Sequence, residues 1–227
     1  MNKPCKTSAE AVADVWDGAT IMFGGWGLVG NPENLIRALY EKGTKDIIAI
    51  ANNPGTIHEG IFNDLAILIR EGRVRKFMGS YHGWNTDFIE KYKKGEIEFE
   101  CIPQGTLAER IRAAGAGLGG FYTRAGAHSS LAEGKEKKII DGKLYVLELP
   151  LRADFAFVKA SAGDEWGNLI YRYTAQNFNS LMAIASEVTI AEVVNLREIG
   201  ELEPNHIHTP GIYVDRIVKG ERYDRRV

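Results

Sequence analysis

The chain has 227 residues, of which 44% are hydrophobic and 26% are charged, and its formal net charge is −2 at pH 7. This composition is typical of a folded globular protein, and it lacks the excess of basic residues that indicates nucleic-acid binding. No apolar run is long enough to cross a membrane, and the first residues lack the apolar stretch of a secretion signal, so we expect neither a membrane span nor export.

The two cysteines, Cys5 and Cys101, are too few for a disulfide framework or a zinc cluster. Cysteine usage of this kind indicates a reducing compartment, and we expect the protein to be cytoplasmic. His206 and His208 lie two residues apart without a third candidate ligand. The sequence therefore predicts no metal site.

The N-terminal segment predicts a helix followed by a strand. Thr7 and Glu10 form a capping-box pattern, and the apolar residues after them recur at helical spacing, namely Ala11, Val12, Val15 and Trp16. Asp17 and Gly18 then turn the chain, and residues 20–23 have strand character.

A glycine-rich loop follows this strand and leads into a helix. Its residues are Gly24, Gly25, Trp26, Gly27, Leu28, Val29 and Gly30. We expect Asn31 to cap the helix, Pro32 to take its first position and Glu33 to favour the positive end of its dipole. Bare N–H groups beside a helix N-terminus predict a site for a phosphate, carboxylate or thioester oxygen. The alternative is a tight strand-to-helix turn that binds nothing.

Gly25, Gly27 and Gly30 also match the G-x-G-x-x-G fingerprint of dinucleotide-binding proteins. That fingerprint requires an acidic residue at the end of the next strand, where this chain has Asn52 and Asn53. We therefore keep a nicotinamide or flavin cofactor only as a minor alternative.

Strand and helix patterns alternate through the first half of the chain. Strands are predicted at residues 47–51, 74–80 and 99–102, and helices at 35–43, 57–71, 86–94 and 107–114. Unbroken apolar strands belong to parallel sheets that are covered on both faces. The alternation predicts an α/β fold with a largely parallel, doubly wound sheet and helices on both faces.

The second half is richer in strands and turns. Asp141-Gly142 predicts a hairpin between residues 138 and 149. Further strands are predicted at 154–160, 168–171 and 188–194, with a helix at 181–185. We expect these strands to form a mixed edge of the sheet or a small β subdomain. No linker separates the halves, so residues 1–227 are predicted to form one domain.

Uncharged polar residues follow three strands of the predicted sheet. Asn52 ends one strand, Ser80 and Tyr81 end the next, and Gln104 follows another. Carboxyl ends of parallel strands meet at one edge, where doubly wound folds bind ligands. Amides and hydroxyls at that edge suit a polarised carbonyl or thioester oxygen, in the manner of an oxyanion hole. Each residue taken alone is equally typical of a turn or a cap.

Further motifs run along the chain in order. They are Asp17-Gly18-x-x-Ile21-Met22-Phe23-Gly24-Gly25 with Gly30-x-Pro32, Asn52-Asn53, Ser80-Tyr81, the stretch 103–112 (PQGTLAERIR), Gly134-Lys135-Glu136, Trp166-Gly167-Asn168-Leu169, Asn177-Phe178 and His206-Ile207-His208-Thr209-Pro210. Together they resemble the motifs of the A-type (alpha) subunits of the family I 3-oxoacid CoA-transferases. The resemblance covers nearly the whole chain.

This resemblance implies an enzyme that moves CoA from succinyl-CoA or acetyl-CoA to a 3-oxoacid, such as acetoacetate or 3-oxoadipate, or to a short carboxylate. It implies a ping-pong route through a glutamyl-CoA thioester, whose glutamate lies in a Ser-Glu-Asn-Gly motif of a separate B-type (beta) subunit. This chain has no such motif, and we expect its only Glu-Asn pair, Glu33-Asn34, to cap a helix. The resemblance thus implies half of an A2B2 heterotetramer, with no permanently bound cofactor.

The resemblance also implies roles for single residues. The loop from Gly24 to Gly30 matches the family's CoA-binding or active-site loop. Asn52 and Gln104 match positions that line the active site as hydrogen-bond donors, and Ser80 and Tyr81 match substrate-binding positions.

Three departures from the family pattern leave the acceptor acid open. Trp26 stands where the family usually has Phe, Pro54 stands where a small residue is common, and His128 lies in a variant of the second glycine-rich loop. The stretch 146–155 is similar to 3-oxoadipate transferases, whereas Ser80-Tyr81-x-Gly83 is similar to acetoacetate transferases.

Two other classes of protein fit parts of the pattern. A non-catalytic module that binds a phosphate or CoA effector is the main alternative to the transferase. A sugar-phosphate isomerase would need its own general base at a strand end. Glu59 is the only carboxylate near those strand ends, and we expect it on a solvated helix face.

Overall fold

The structure is a computed structural model, and it describes residues 3–56 and 64–223. The helices in these ranges are α1 (Ser8–Ala11), α2 (Glu33–Lys42), α3 (Leu65–Arg70), α4 (Thr86–Lys93), α5 (Gln104–Gly115) and α6 (Asn179–Met182). The strands are β1 (Pro4–Cys5), β2 (Thr20–Phe23), β3 (Ile47–Ile50), β4 (Val74–Gly79), β5 (Glu98–Cys101), β6 (Phe121–Thr123), β7 (Lys137–Ile140), β8 (Lys143–Glu148), β9 (Ala153–Asp164), β10 (Leu169–Ile170), β11 (Ser186–Arg197) and β12 (Arg216–Lys219).

Nine of the described strands form one sheet. Eight of them lie in the order β1-β12-β11-β9-β2-β3-β4-β5, with every neighbouring pair parallel, and β10 adds to β9 in antiparallel orientation. From the centre, β2 to β5 follow one another outwards on one side, and β9, β11 and β12 do so on the other. This is a doubly wound sheet whose strand order reverses between β2 and β9, and crevices at such reversals bind ligands. The predicted fold class is confirmed.

Both faces of the sheet are covered, which explains the apolar strands of the sequence. In β2, Ile21 and Phe23 point into one core with residues of α2 and α4, while Met22 points into a second core with residues of α5 and α6. Alternate residues of a strand point to opposite faces, so a strand buried on both sides must be apolar throughout.

The predicted hairpin lies in a separate sheet of three antiparallel strands with the order β6-β8-β7. Asp141 and Gly142 connect β7 to β8 with φ angles of 47° and 71°. A two-residue turn with both φ angles positive matches the twist of the strands it joins. The hairpin and an added β unit in the second half are therefore confirmed.

Other strands of the second half take a different place from the predicted one. We expected residues 154–160 and 188–194 at a mixed edge or in a small subdomain, but β9 lies at the centre of the parallel sheet with β11 beside it. A run of apolar residues such as that in β9 fits a central strand as well as an edge strand. The sequence pattern therefore could not predict the position of β9 in the strand order.

Two predicted helices are shorter than expected within the described residues. Helix α1 ends at Ala11, and Trp16 lies in an irregular segment beyond it with its side chain half exposed. Of the helix predicted at 57–71, Leu65–Arg70 is helical, whereas residues 57–63, including Glu59, lie outside the described residues.

The start of α2 corrects a further prediction. The helix begins at Glu33 with Pro32 in the N-cap position, and the Asn31 side chain instead donates to the Gly27 carbonyl (3.0 Å). Glu33-Asn34 does not cap the helix either. The buried carboxylate of Glu192 on β11 accepts hydrogen bonds from the N–H groups of Asn34 (2.8 Å) and Leu35 (3.0 Å). A side chain from a distant strand thus satisfies the helix N-terminus.

Candidate active site

Three of the predicted site residues meet at the carboxyl edge of the sheet. The Oδ1 atom of Asn52, just after β3, accepts hydrogen bonds from Ser80 Oγ (2.9 Å) and from Gln104 Nε2 (2.6 Å). The Asn52 carbonyl also accepts from the N–H groups of Ser80 and Tyr81, both at 3.1 Å. Strand pairing of β3 with β4 brings these loops together, as the sequence predicted for the edge of a parallel sheet.

Asn52, Ser80 and Gln104 are called the amide cluster, and they differ in their access to solvent. Asn52 is only 4% exposed, whereas Gln104, the first residue of α5, is exposed. A side-chain amide carries two hydrogens, and one hydrogen of Gln104 Nε2 is directed to Asn52. The other has no acceptor among the described residues. The exposed Gln104 amide therefore keeps one N–H group for a further acceptor, while its other N–H group is bonded to the buried Asn52.

Tyr81 joins the cluster through its backbone rather than its ring. Its side chain is exposed and lies edge-on against Trp84, with the ring centroids 5.2 Å apart. The structure therefore brings Asn52, Ser80 and Gln104 into direct contact and leaves the Tyr81 ring beside them on the surface.

The glycine-rich loop lies at the reversal point of the sheet. Gly24 donates to the Phe157 carbonyl of β9 (2.9 Å). Trp26 and Val29 each donate their backbone N–H group to the carbonyl of the other, both at 3.0 Å. Gly27 has a φ of 58° and donates to Asn53 Oδ1 (2.9 Å). Four of the seven predicted N–H groups, those of residues 24, 26, 27 and 29, thus already have acceptors. Because the loop folds on itself, fewer of its N–H groups are bare than the sequence indicated.

Three asparagines surround the loop. Asn53 lies at the edge where the sequence predicted it, beside Asn52, whereas Asn177 and Asn179 were missed from the sequence as site residues. Asn53 accepts from Gly27 and also from Asn52 Nδ2 (3.1 Å), so it joins the loop to the amide cluster. Asn177 and Asn179 donate to the loop carbonyls of Val29 (3.1 Å) and Gly30 (3.0 Å). The Asn-Asn pair and the Asn-x-Asn spacing were visible signals, but their contacts depend on strands that are distant in sequence.

Carboxylates around the loop are engaged in structural roles within the described residues. A cavity of about 10 Å³ beneath the loop is lined by Asn52, Asn53 and Asp64, among others. Asp64 Oδ1 accepts from Ala66 N and Oδ2 from Thr56 N, each at 3.0 Å, so this carboxylate caps α3. Asp64, the carboxylate that lines this cavity, is thus committed to a structural role.

A second, larger cavity of about 530 Å³ lies on the β9 side of the loop. It is lined by Val29, Gly30, Lys159, Ala160, Ser161, Arg172, Tyr173, Thr174, Ala175, Val194, Asn195 and Tyr223. The buried Lys159 ammonium at its floor lies 3.4 Å from Glu33 Oε1 and 4.2 Å from the centre of the Tyr223 ring.

Burial raises the pKa of two acid groups, Glu192 and Tyr223, of which Tyr223 lines this cavity. Desolvation raises the pKa of Glu192, and hydrogen bonds from Asn34 oppose that rise. Desolvation also raises the pKa of Tyr223, and the nearby Glu192 charge adds to the effect. Glu192 is not part of the amide cluster, and its carboxylate accepts the hydrogen bonds from Asn34 and Leu35 that hold the N-terminus of α2 in place.

Two negative findings apply to residues 3–56 and 64–223. No group of three or more histidine, cysteine, aspartate or glutamate side chains there could hold a metal ion. No helix in the same part of the chain is long and apolar enough to cross a membrane.

Comparison with known sequences places the chain among enzymes of one kind. The family model described as coenzyme A transferase matches residues 5–220. The chain is 47% identical over 227 residues to the A-type subunit of a probable succinyl-CoA:3-ketoacid coenzyme A transferase of Bacillus subtilis, covering 100% of this chain and 94% of that protein. It is 48% identical over 220 residues to the A-type subunit of a 3-oxoadipate CoA-transferase of Pseudomonas putida, covering 96% and 94%.

Comparison with solved structures gives the same fold. An acyl-CoA transferase of Escherichia coli O157:H7, in a thioester complex with CoA, matches with a TM-score of 0.84 at 21% identity, over 96% of this chain and 47% of that one. The chain thus spans about half the length of that enzyme. Glutaconate coenzyme A-transferase of Acidaminococcus fermentans matches with a TM-score of 0.79 at 20% identity, over 96% and 75%.

Proposed function

The chain belongs to the coenzyme A transferase family, and from that premise we propose that it is the alpha subunit of an enzyme that transfers CoA to a 3-oxoacid. The donor is succinyl-CoA or acetyl-CoA, and the acceptor is acetoacetate, 3-oxoadipate or a short carboxylate. The reaction proceeds in two half-reactions through a glutamyl-CoA thioester, and the beta subunit supplies the glutamate.

One observation carries this proposal. The amide cluster of Asn52, Ser80 and Gln104 contains hydrogen-bonding groups but no carboxylate, and Asp64 nearby is committed to a helix cap. Thioester exchange with a carboxylate needs a nucleophile and a group that stabilises the developing oxyanion. The described residues of the amide cluster offer the second function, and we propose that the first comes from a partner.

Gln104 and Asn52 have different roles in this mechanism. The exposed Gln104 amide has a hydrogen that can point to the tetrahedral oxyanion formed when the partner's glutamate attacks the thioester carbon. Asn52 is buried and accepts from Gln104 at 2.6 Å, so it orients that amide. Collapse of the tetrahedral species releases CoA thiolate, which then attacks the activated glutamyl carbonyl. One glutamate oxygen leaves with the donor's carboxylate.

Exposed aromatic side chains near the site support docking of a beta subunit. Trp26 at the loop tip is 48% exposed, and Tyr81 and Trp84 beside the amide cluster are 42% and 58% exposed. Aromatic residues are enriched in protein interfaces, and a sheltered site strengthens electrostatic stabilisation. We propose an A2B2 heterotetramer in which the loop and the amide cluster face the beta subunit. The free thiols of Cys5 and Cys101 fit a cytoplasmic enzyme.

The proposal is tested by purifying the tagged chain from its own source and identifying what comes with it. We expect a stoichiometric protein with a Ser-Glu-Asn-Gly motif. The pair is then assayed with succinyl-CoA and acetyl-CoA against acetoacetate, 3-oxoadipate and short carboxylates. Incubation with the donor alone should add the mass of CoA minus water to the beta subunit.

The outcome also decides between the two classes of function. Transfer with a mass increase on the beta subunit supports the transferase, and the preferred acid identifies the acceptor. A mass increase on this chain instead would contradict the assignment of the nucleophile. If the chain is recovered alone and no donor and acceptor pair reacts, binding of a phosphate or CoA effector without transfer becomes the better description.

A further inference from the structure

A short stretch of backbone after β10 packs against the second half of the glycine-rich loop. This stretch, residues 172–179, is called the bracket. It contains Tyr173, whose φ of 52° is in the left-handed region and whose ring is 84% exposed. A bulky residue in that conformation costs free energy, and such strain persists only where the surrounding structure imposes it. The bracket's geometry is therefore held by its contacts.

Asn179 is the most enclosed of those contacts, with no exposed surface. Its Nδ2 donates to the carbonyls of Gly30 (3.0 Å) and Ala175 (2.9 Å), and its Oδ1 accepts from Lys159 N (2.9 Å). One side chain thus joins the loop, the bracket and β9. All three bonds are buried or partly buried, where an unpaired polar group would be costly.

Two glycines of the loop are required by this arrangement. A Cβ atom on Gly24 would lie 1.9 Å from Asn179 Oδ1, and one on Gly30 would lie 2.8 Å from Asn179 Nδ2. Both glycines therefore make room for the Asn179 amide, in addition to any role toward a ligand.

Asn177 makes a similar connection nearer the surface. Its Nδ2 donates to the carbonyls of Val29 (3.1 Å) and Thr174 (2.9 Å), and its Oδ1 accepts from Phe178 N (2.6 Å). Hydrogen bonds then continue from the loop to the amide cluster, because Gly27 donates to Asn53 and Asn53 accepts from Asn52.

We propose that Asn177 and Asn179 are positioning residues of the transfer site. They fix the second half of the loop, and through the loop's contact with Asn53 they fix the Asn52 amide that orients Gln104. This inference rests on the proposed function, since a positioning role needs a reaction to serve. Neither asparagine touches the cluster directly, so the effect passes through the backbone of the loop.

The test is the isosteric substitution Asn177→Asp. A carboxylate keeps the bond from Phe178 N but cannot donate to Val29 or Thr174. The control is Asn205→Asp, because Asn205 is exposed, lines neither cavity, and uses its side-chain amide to donate to Glu203 Oε1 (2.9 Å) rather than to the loop. Both variants are measured in the complex with the beta subunit.

Hydrogen exchange and steady-state kinetics are the two measurements. For Asn177→Asp we expect faster amide exchange in residues 24–31, and a kcat that is roughly 10- to 100-fold lower, the size of effect that misplacement by about 1 Å can have. We expect KM values close to those of the parent and a Tm that is lower by about 4–8 °C, because two hydrogen bonds are lost. The Asn205→Asp control should match the parent in loop exchange and in kcat.

The outcomes separate failure of this inference from failure of the proposed function. Unchanged exchange in the loop, or faster exchange with an unchanged kcat, overturns the positioning role. Faster exchange throughout the chain, rather than in residues 24–31, also overturns it, because it shows a merely structural effect. An inactive parent complex refutes the proposed function instead, and loop exchange then still tests whether the bracket holds the loop. Asn177→Ala repeats the test if Asn177→Asp does not fold, because it removes both donated bonds without placing a carboxylate beside the two carbonyls.

Discussion

The substitution Gly24→Ala tests the packing of the loop against the bracket most directly. The added methyl group would lie 1.9 Å from Asn179 Oδ1, 2.7 Å from Asn179 Cγ and 3.3 Å from the Phe157 carbonyl oxygen. No positive φ is involved at Gly24, so the effect is steric alone. Ordinary contacts begin near 3.4 Å. Either the added methyl group or the Asn179 side chain must therefore move by roughly 1.5 Å in a tightly packed interior.

The size of the effect follows from what Asn179 holds. Overpacking of this kind costs about 1–3 kcal/mol. Displacing Asn179 also weakens its bonds to Gly30, Ala175 and Lys159, each worth about 1 kcal/mol. We expect a total loss of about 2–4 kcal/mol in the free energy of unfolding. For a chain of this length that corresponds to a fall of about 5–15 °C in Tm.

Thermal unfolding of the purified chain, followed by circular dichroism, measures this loss. The matched control is Gly105→Ala in α5, where an added Cβ would meet no atom within 4 Å and φ is not positive. We expect that control to unfold at the parent temperature or slightly above it, because alanine favours helix. A Tm for Gly24→Ala within about 1 °C of the parent's would refute the packing argument.

Three further predictions concern catalysis, helix capping and pH. Gln104→Ala should lower kcat of the assembled enzyme by roughly 10²–10³ with little change in stability, since its side chain is exposed. Glu192→Ala leaves three buried donors of Asn34 and Leu35 without their acceptor, and urea unfolding should show a loss of roughly 3–5 kcal/mol. Hydrogen bonds from Arg216 lower the pKa of Asp14 from its usual 3.8, so Asp14→Asn should cost about 0.2–1 kcal/mol at pH 7. That difference should vanish as the pH falls through the lowered pKa, where the parent's carboxylate is protonated too.

Controls and contrary results are specific to each of these variants. Glu109→Ala, also exposed on α5, should leave kcat unchanged, and an unchanged kcat for Gln104→Ala would remove Gln104 from the site. Glu187→Ala lies on the same strand as Glu192 with an exposed side chain, so an equal loss in both variants would contradict the capping role. A difference between the parent and Asp14→Asn that persists below the lowered pKa would contradict the ion-pair explanation.

The sequence by itself determined the local structure of the chain to a large extent. Apolar runs such as β2 and β3 can be buried on both faces, the Asp141-Gly142 pair favours a hairpin turn, and Gly43 ends α2 in the left-handed conformation with a φ of 85°. The meeting of Asn52 with Gln104 was also predictable, because parallel strands bring their carboxyl ends to one edge.

Only the tertiary structure decided the order of the strands and the partners of the loop. Asn179 bonds Gly30 across 149 residues, and Glu192 caps α2 across 158 residues. A lone glutamate in an apolar strand signals a buried role, but its partner depends on which element lies beside that strand. Periodicity describes which face of an element is apolar and does not specify its neighbour. Contacts between distant strands, and hence the loop's own hydrogen bonds, exist only once the sheet has assembled.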